Sequence, residues 1–355
     1  MNPARRFRIA ATLAGGVALA SSTAAAPTGH PAAACADEAE PSARLACYDR
    51  FFRAPGAGGA TATPSSQDAA PPLPRAAAAA PDASPMSRLW ELVPGDKRGT
   101  FAVRTYRPNY LLPLHYTSSL RAPASPTHVA PTEDVDLQRF EAKFQISLRA
   151  KALEDVVLPG ADLWLAYSQI SIWQIYNHAE SSPFRSSDYQ PEAIYVVPVG
   201  RESGLRLPGD WRWRMVQAGF THQSNGERGA LSRGWNRLWL GAGFERGAMG
   251  LQLRVHRRVR FASRDDNPDL VRYLGHAELV ASYVTDRTAA ALTWKTGSGF
   301  LKRGSLQLDW SFPVRPSQPD GLRWYLQVFT GYGETLLDYN HRQTSLGAGL
   351  SLFQF

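Results

Sequence analysis

The feature that most limits how this chain can fold is a two-residue alternation of polarity. In residues 251–261, Leu251, Leu253, Val255, Val259 and Phe261 share one parity, and Gln252, Arg254, His256, Arg258 and Arg260 share the other. Leu306, Leu308, Trp310 and Phe312 alternate with Gln307, Asp309 and Ser311, and Leu346, Ala348, Leu350 and Leu352 alternate with glycine and serine. Successive side chains of an extended chain point to opposite faces, so these segments are strands with one apolar and one polar face. A single strand of this kind suits a soluble sheet equally well. About a dozen in succession, with charged rows on the polar face, point to a wall with lipid on one side and a polar interior on the other. The expected starts lie near Thr100, Phe140, Leu163, Pro191, Arg214, Trp235, Leu251, His276, Ala289, Gly304, Leu322 and Thr344. Mean hydropathy is −0.30, and no apolar run reaches the roughly 18 residues that a membrane helix needs. The expected fold is therefore all-β, an antiparallel transmembrane β-barrel of about twelve strands. A soluble barrel of about eight to ten strands is its rival. An aromatic last residue, Phe355, is consistent with outer-membrane insertion.

The N-terminal region has another character. Arg5, Arg6 and Arg8 precede an apolar run over residues 9–20, and small residues follow over 21–26. Basic, apolar and small segments in that order read as a secretory signal over residues 1–26. Export to an oxidising compartment accounts for the two cysteines, Cys35 and Cys47, as one small disulfide loop in a short segment over residues 27–53. A lipid-modified Cys35 is the alternative. Residues 54–85, dominated by Ala, Pro, Gly and Ser, bury too little apolar surface to offset their ordering entropy and read as a disordered linker. The barrel then occupies residues 86–355. Net charge is +8, but the basic residues are dispersed along the alternating segments. In an exported chain they fit a barrel lumen or a lipopolysaccharide-facing rim, and nucleic acid is not an expected partner.

One segment carries reactive groups. His222 and Ser224 stand two residues apart, so on a strand they share a face. An imidazole beside a hydroxyl can take its proton and make the oxygen a nucleophile. Asn225 and Gly226 mark a turn, and the chain returns at Trp235 and Asn236. In a tight hairpin Asn236 comes across from His222, where its amide oxygen can accept from the ring. A neutral carboxamide orients the ring without burying a charge near lipid. Val216, Ala218 and Phe220 share the parity of His222, while Leu238, Leu240, Ala242 and Phe244 share that of Asn236. The three polar groups thus continue rows that face lipid in a membrane barrel, which predicts a lipid substrate. The competing reading is a solvated polar turn, since H-x-S is a common pattern.

The same segment resembles the active-site signature of the outer membrane phospholipase A family. His222, Ser224, Asn225, Gly226, Ser232, Arg233, Trp235, Asn236 and Arg237 stand where that pattern has them. Further matches lie at 180–185 with Tyr189 and Pro191, at 265–269 and at 331–340. The resemblance implies a twelve-stranded barrel in the Gram-negative outer membrane. It implies calcium-dependent phospholipase A1, A2 and lysophospholipase activity on membrane phospholipids, in a homodimer. By matched position Ser224 is the nucleophile, His222 the general base and then acid, and Asn236 the orienting residue. Ca2+ takes the Ser232 hydroxyl, the Glu227 backbone carbonyl and Ser181 of a second subunit. Such hard oxygen donors suit calcium, which with the backbone N–H groups of Ser224 and Gly226 would stabilise the oxyanion. The sequence departs from the pattern at 227–231. Gly229 lacks a carboxylate that some members carry, which leaves open whether the resemblance extends to a second, monomer-bound calcium involving Asp266. Thr221 replaces a usual Asn.

Other residues leave alternatives open. Asp265, Asp266 and Asp269 read as cation ligands or as a solvated Asn-Pro turn. Gln169 reads as a contact to a partner barrel or as one more lumen polar group, and the tryptophans as interfacial girdles or lumen filler. The functional alternatives to a lipid hydrolase are a non-catalytic outer-membrane channel or adhesin and, further off, a soluble esterase.

Overall fold

A computed structural model describes residues 31–52, 84–127, 136–200, 204–261, 265–297 and 302–352. The expected signal, nearly all of the expected linker, and Phe355 lie outside the described residues. The chain divides into two units, residues 1–73 and 74–355. In the first, a 3-10 turn over Pro31–Asp37 precedes helix α1, Pro41–Phe52. Cys35 and Cys47 are joined as a disulfide, so the lipid-modified alternative for Cys35 falls.

The second unit is built almost wholly of antiparallel strands. They are β1 Val103–Thr105, β2 Asn109–Thr117, β3 Phe140–Leu153, β4 Asp162–Trp173, β5 Phe184–Pro198, β6 Leu205–Arg206, β7 Arg212–Ser224, β8 Gly234–Arg246, β9 Met249–Val259, β10 Ala277–Val284, β11 Ala289–Thr296, β12 Gly304–Pro313, β13 Leu322–Tyr332 and β14 Arg342–Leu352. Twelve of them pair in order around a closed ring: β14 pairs with β2, β2 with β3, and β3 with β4, which completes the circuit. The short β1 and β6 are additions that pair with β3 and β7. Closure gives every barrel strand two neighbours, which a backbone in hydrocarbon requires.

Ten of the expected strand starts fall within two residues of an observed one. Near Thr100 the difference is instructive. Both β1 and β2 run along the same edge of β3, separated by Tyr106, Arg107 and Pro108. Proline has no N–H to give the ladder, so the first strand is broken there. The start expected near Pro191 lies at Phe184 instead. The early part of β5 carries Ser186, Asp188 and Gln190, all buried on the inward face, and so looks like a loop.

The alternation is realised as expected. Leu238, Leu240, Leu253, Val255, Leu306, Leu308, Trp310, Leu346 and Leu352 are exposed on the outer wall. Inside, the row of β9 makes polar contacts: Arg254 donates to the Tyr106 hydroxyl at 2.9 Å, and Arg258 to Asp265 Oδ1 at 2.6 Å.

Both ends of the lumen are filled. At the short-turn end lies helix α2, Pro85–Trp90, capped by the Ser84 side chain. Its Met86 and Trp90, with Leu92, pack against Trp164, Ile194, Val196, Met215 and Trp239. The Arg149 guanidinium is sandwiched between Trp90 and Trp164, 4.3 and 4.8 Å from the two rings. Glu91, fully buried, lies 2.8 Å from Lys151 and 3.0 Å from Arg104. At the other end the β13–β14 loop, residues 333–341, turns inward. Its Glu334 accepts from Lys143 at 2.7 Å, Gln343 at 2.6 Å and Ser345 at 2.7 Å. A cavity of about 230 Å3 remains between, lined by Arg107, Arg254, Glu278, Lys295 and Asp309 among others. The α2 plug carries no two-residue alternation, so the sequence pattern of the barrel does not include it.

Removing one member of a buried ion network leaves its partners uncompensated. Glu91→Gln is expected to lower unfolding stability by about 3–5 kcal/mol, read as a lower urea midpoint in the heat-modifiable gel shift of the folded barrel.

Candidate active site

The candidate residues sit at the long-loop end of the β7–β8 hairpin. His222 and Asn236 are directly paired across the two strands, and Ser224 pairs with Gly234. The His222 Nδ1 lies 2.8 Å from Asn236 Oδ1. With that oxygen accepting, Nδ1 carries the hydrogen and Nε2 is left to accept from a neighbour. Ser224 follows His222 by two residues on the same outward row, and all three side chains are partly exposed. On the other flank, Tyr189 of β5 pairs with Ser224 and Glu192 with Thr221. That register sets Pro191 opposite His222, and the ladder skips this pair because proline brings no N–H.

The wall is braced from inside by the alternate residues. Gln223 Oε1 accepts from Trp235 Nε1 at 3.0 Å and Arg237 Nη1 at 3.1 Å. Thr221 donates to Glu192 at 3.1 Å and accepts from Trp239 Nε1 at 3.0 Å. Glu192 also takes Arg107 at 2.9 Å. The outward groups therefore rest on a polar interior that ties both strands together.

Residues 225–233 form the loop. Buried Asn225 organises it: its carboxamide donates to the Leu231 carbonyl at 2.8 Å and accepts from the Arg233 N–H at 2.9 Å. Gly226 has φ +71°, and a Cβ there would stand 3.1 Å from the Tyr189 ring. Glycine is needed on both counts. The Ser232 hydroxyl donates to Asp266 Oδ2 at 2.9 Å, and Asn267 Oδ1 accepts from the Gly234 N–H at 3.2 Å. Tyr339 donates to Asp269 Oδ1 at 2.5 Å; burial, then that carboxylate, pushes its phenol well up. The acidic loop over 265–269 is thus a buttress of the site rather than a free solvated turn.

Glu227 and Ser232 lie in this loop. Ser181 belongs to the β4–β5 loop, is exposed with φ +58°, and makes no hydrogen bond to residues 225–233 among the described residues. Among the described residues no three His, Cys, Asp or Glu side chains converge as a metal cluster. The oxygen donors at hand are the Ser232 hydroxyl, the Asp266 carboxylate and loop carbonyls, a hard set that fits calcium. Gln169 lies on the outward row with Leu165 and Tyr167, and accepts from the Tyr167 hydroxyl at 3.1 Å. Trp164, Trp235 and Trp239 are buried inward. Asn225, Asp266, Asn267 and Tyr189 carry structural roles that spacing alone did not reveal.

A closed barrel with apolar outer rows, a filled lumen and a serine, histidine and carboxamide grouped on its outer wall defines an integral β-barrel membrane protein. The comparisons narrow this. The phospholipase A1 family model matches residues 86–352, and the chain belongs to that family. It is 38% identical over 271 residues to a putative phospholipase A1 of Neisseria meningitidis, covering 74% of this chain and 68% of that one. It is 34% identical to phospholipase A1 of Escherichia coli, covering 71% and 82%. Among solved structures it matches outer membrane phospholipase A from Escherichia coli with TM-score 0.62 and 31% identity, over 72% of this chain and all of that one. The Salmonella typhi outer membrane phospholipase dimer with bound calcium matches with TM-score 0.63 and 32% identity, over 71% and 92%. The protein is thus an outer-membrane barrel of the outer membrane phospholipase A type.

Gly226→Ala is expected to cost about 1–2 kcal/mol of local strain and to push the loop away from Ser224. Ester hydrolysis should fall at least tenfold while the heat-modifiable shift shows an intact barrel.

Proposed function

We propose that this chain hydrolyses the sn-1 and sn-2 acyl esters of phospholipids and lysophospholipids, with Ser224 as nucleophile, His222 as base and then acid, and Asn236 as orienting group. One observation carries the reading: the His222–Asn236 hydrogen bond of 2.8 Å on the lipid-facing wall, in line with Ser224. Asn236 fixes the ring so that Nε2 accepts the Ser224 proton as Oγ attacks the ester carbonyl. Collapse of the tetrahedral adduct expels the lysolipid alkoxide, which takes that proton from His222. Water, deprotonated by the same Nε2, then cleaves the acyl-serine and releases the fatty acid. The N–H groups of Ser224 and Gly226 face the developing oxyanion.

Ser232 and the Glu227 carbonyl would hold calcium, with Ser181 supplied by a second subunit. Calcium, when bound, supplies positive charge beside the ester carbonyl. A homodimer joined along the outer wall accounts for the exposed Ser181, for Gln169 on that wall, and for the calcium-bound dimer of the Salmonella typhi relative. The channel reading is disfavoured by α2 and the 333–341 loop, which fill both ends of the lumen.

Ser224→Ala is expected to abolish fatty-acid release from phospholipid micelles while the barrel still folds. Retained release would remove the nucleophile assignment. Chelating calcium should stop wild-type turnover and adding it back should restore it; turnover indifferent to chelation would refute the metal role. In planar bilayers the protein should give no steady conductance.

A further inference from the structure

The outward rows of the barrel are apolar or neutral almost throughout. Where charge occurs on them among the described residues it stands at a strand's first or last residue, as at Arg246 and Arg342. Arg257 is the exception. It shares the parity of Leu253 and Val255 on β9, is exposed, and interrupts an apolar row two residues before the strand ends. No carboxylate pairs with it among the described residues. A guanidinium on a lipid-facing wall is unfavourable unless something at the interface neutralises it.

Its position says what that something is. Arg257 pairs directly with Leu238, and Leu238 with Phe220; one pair further along, Val259 faces Asn236 and Asn236 faces His222. Arg257 is thus one outward step from the row of the orienting carboxamide, about 7 Å along the strand, within reach of an extended arginine side chain. It also lines a groove of about 700 Å3 on the outer wall, with Ala218, Phe220, Leu238, Leu240 and Val255. Among the lining residues it is the one with a full charge. The Phe220 ring, which lines the groove, lies 5.9 Å from that of Phe261. An acyl chain lying in such a groove brings its own head group to the site, and the one anionic group common to phospholipids is the phosphodiester.

We infer that Arg257 is a specificity-determining residue that binds the phosphate of the phospholipid whose ester meets Ser224, favouring phospholipids over neutral esters. This rests on the hydrolase reading above. A guanidinium matches a phosphate oxygen pair bidentately, and ammonium does so less well.

The test compares two substrates in a non-ionic detergent with calcium present: a diacyl glycerophosphocholine and a p-nitrophenyl ester of the same acyl chain. Wild type, R257A, R257Q, R257K and S224A are assayed, with the heat-modifiable shift confirming each barrel. For R257A and R257Q, kcat/KM on the phospholipid should fall at least tenfold, mainly through KM, and on the neutral ester less than threefold. R257K should recover part of the loss. Equal losses on both substrates would assign Arg257 to the wall's stability or to anchoring among bulk head groups, and no loss would remove it from substrate binding; either result overturns the inference. A wild type that cleaves neither ester while folded sinks the hydrolase reading itself, a separate failure. An R257A that does not fold leaves R257Q, of similar length, to decide.

Discussion

Closure of the sheet is the constraint from which the rest follows. In hydrocarbon an unpaired backbone N–H or carbonyl has no water to turn to, so the strands must return on themselves. Here that is done by β2 and β14 meeting at one seam and β3 and β4 completing the ring at another. Once closed, each strand has an outside and an inside, and a two-residue period sorts every side chain between them. The inside is then a polar space without bulk solvent, and it must satisfy itself. Lys143 with Glu334, Lys151 with Glu91 and Asp162, and Arg149 between two indoles are the outcome.

The same sorting decides where chemistry on lipid can occur. A nucleophile in the lumen of this barrel would be behind α2 and the 333–341 loop, out of contact with acyl esters. On the outer wall it meets them directly, but there a buried charge is unfavourable. His222 and Asn236 answer that conflict, because a carboxamide holds the ring by hydrogen bonding alone. The hairpin is braced from the other face by Gln223, Thr221, Arg237 and Trp239. Neighbouring residues of one strand therefore serve opposite solvents. From Val216 to Ser224, those at even positions of β7 face the bilayer, and Thr221 and Gln223 at odd positions lock the hairpin to the interior.

How much of this was legible in the sequence depends on the range of the interaction concerned. Strand rows and the His222, Ser224 and Asn236 grouping rest on local period and a short hairpin, and they could be read directly. The broken first strand could not, because Pro108 divides two segments that belong together only by virtue of their shared neighbour β3. Early β5 reads as a loop in sequence because Ser186, Asp188 and Gln190 look solvated, although they face a lumen. Helix α2 was invisible for a related reason: its apolar residues find their partners on strands β4, β5, β7 and β8, far away in the chain. The bond from Ser232 to Asp266 spans 34 residues, and no spacing rule predicts it. The wider family resemblance supplied the roles of the calcium ligands, which geometry within one chain does not contain.

The apolar rows also give exceptions their meaning. A polar residue inside the lumen is unremarked, since the interior is made of them. The same residue on the outer wall is set against lipid, and its presence there demands a partner from outside the chain. Tyr167, Gln169 and Ser171 hydrogen-bond in sequence on β4, satisfying much of their polarity among themselves. Arg257 does not, and among the described residues no carboxylate pairs with it. On a surface whose solvent is lipid, an unpaired cation is matched to the only charge that solvent carries in plenty, the phosphate.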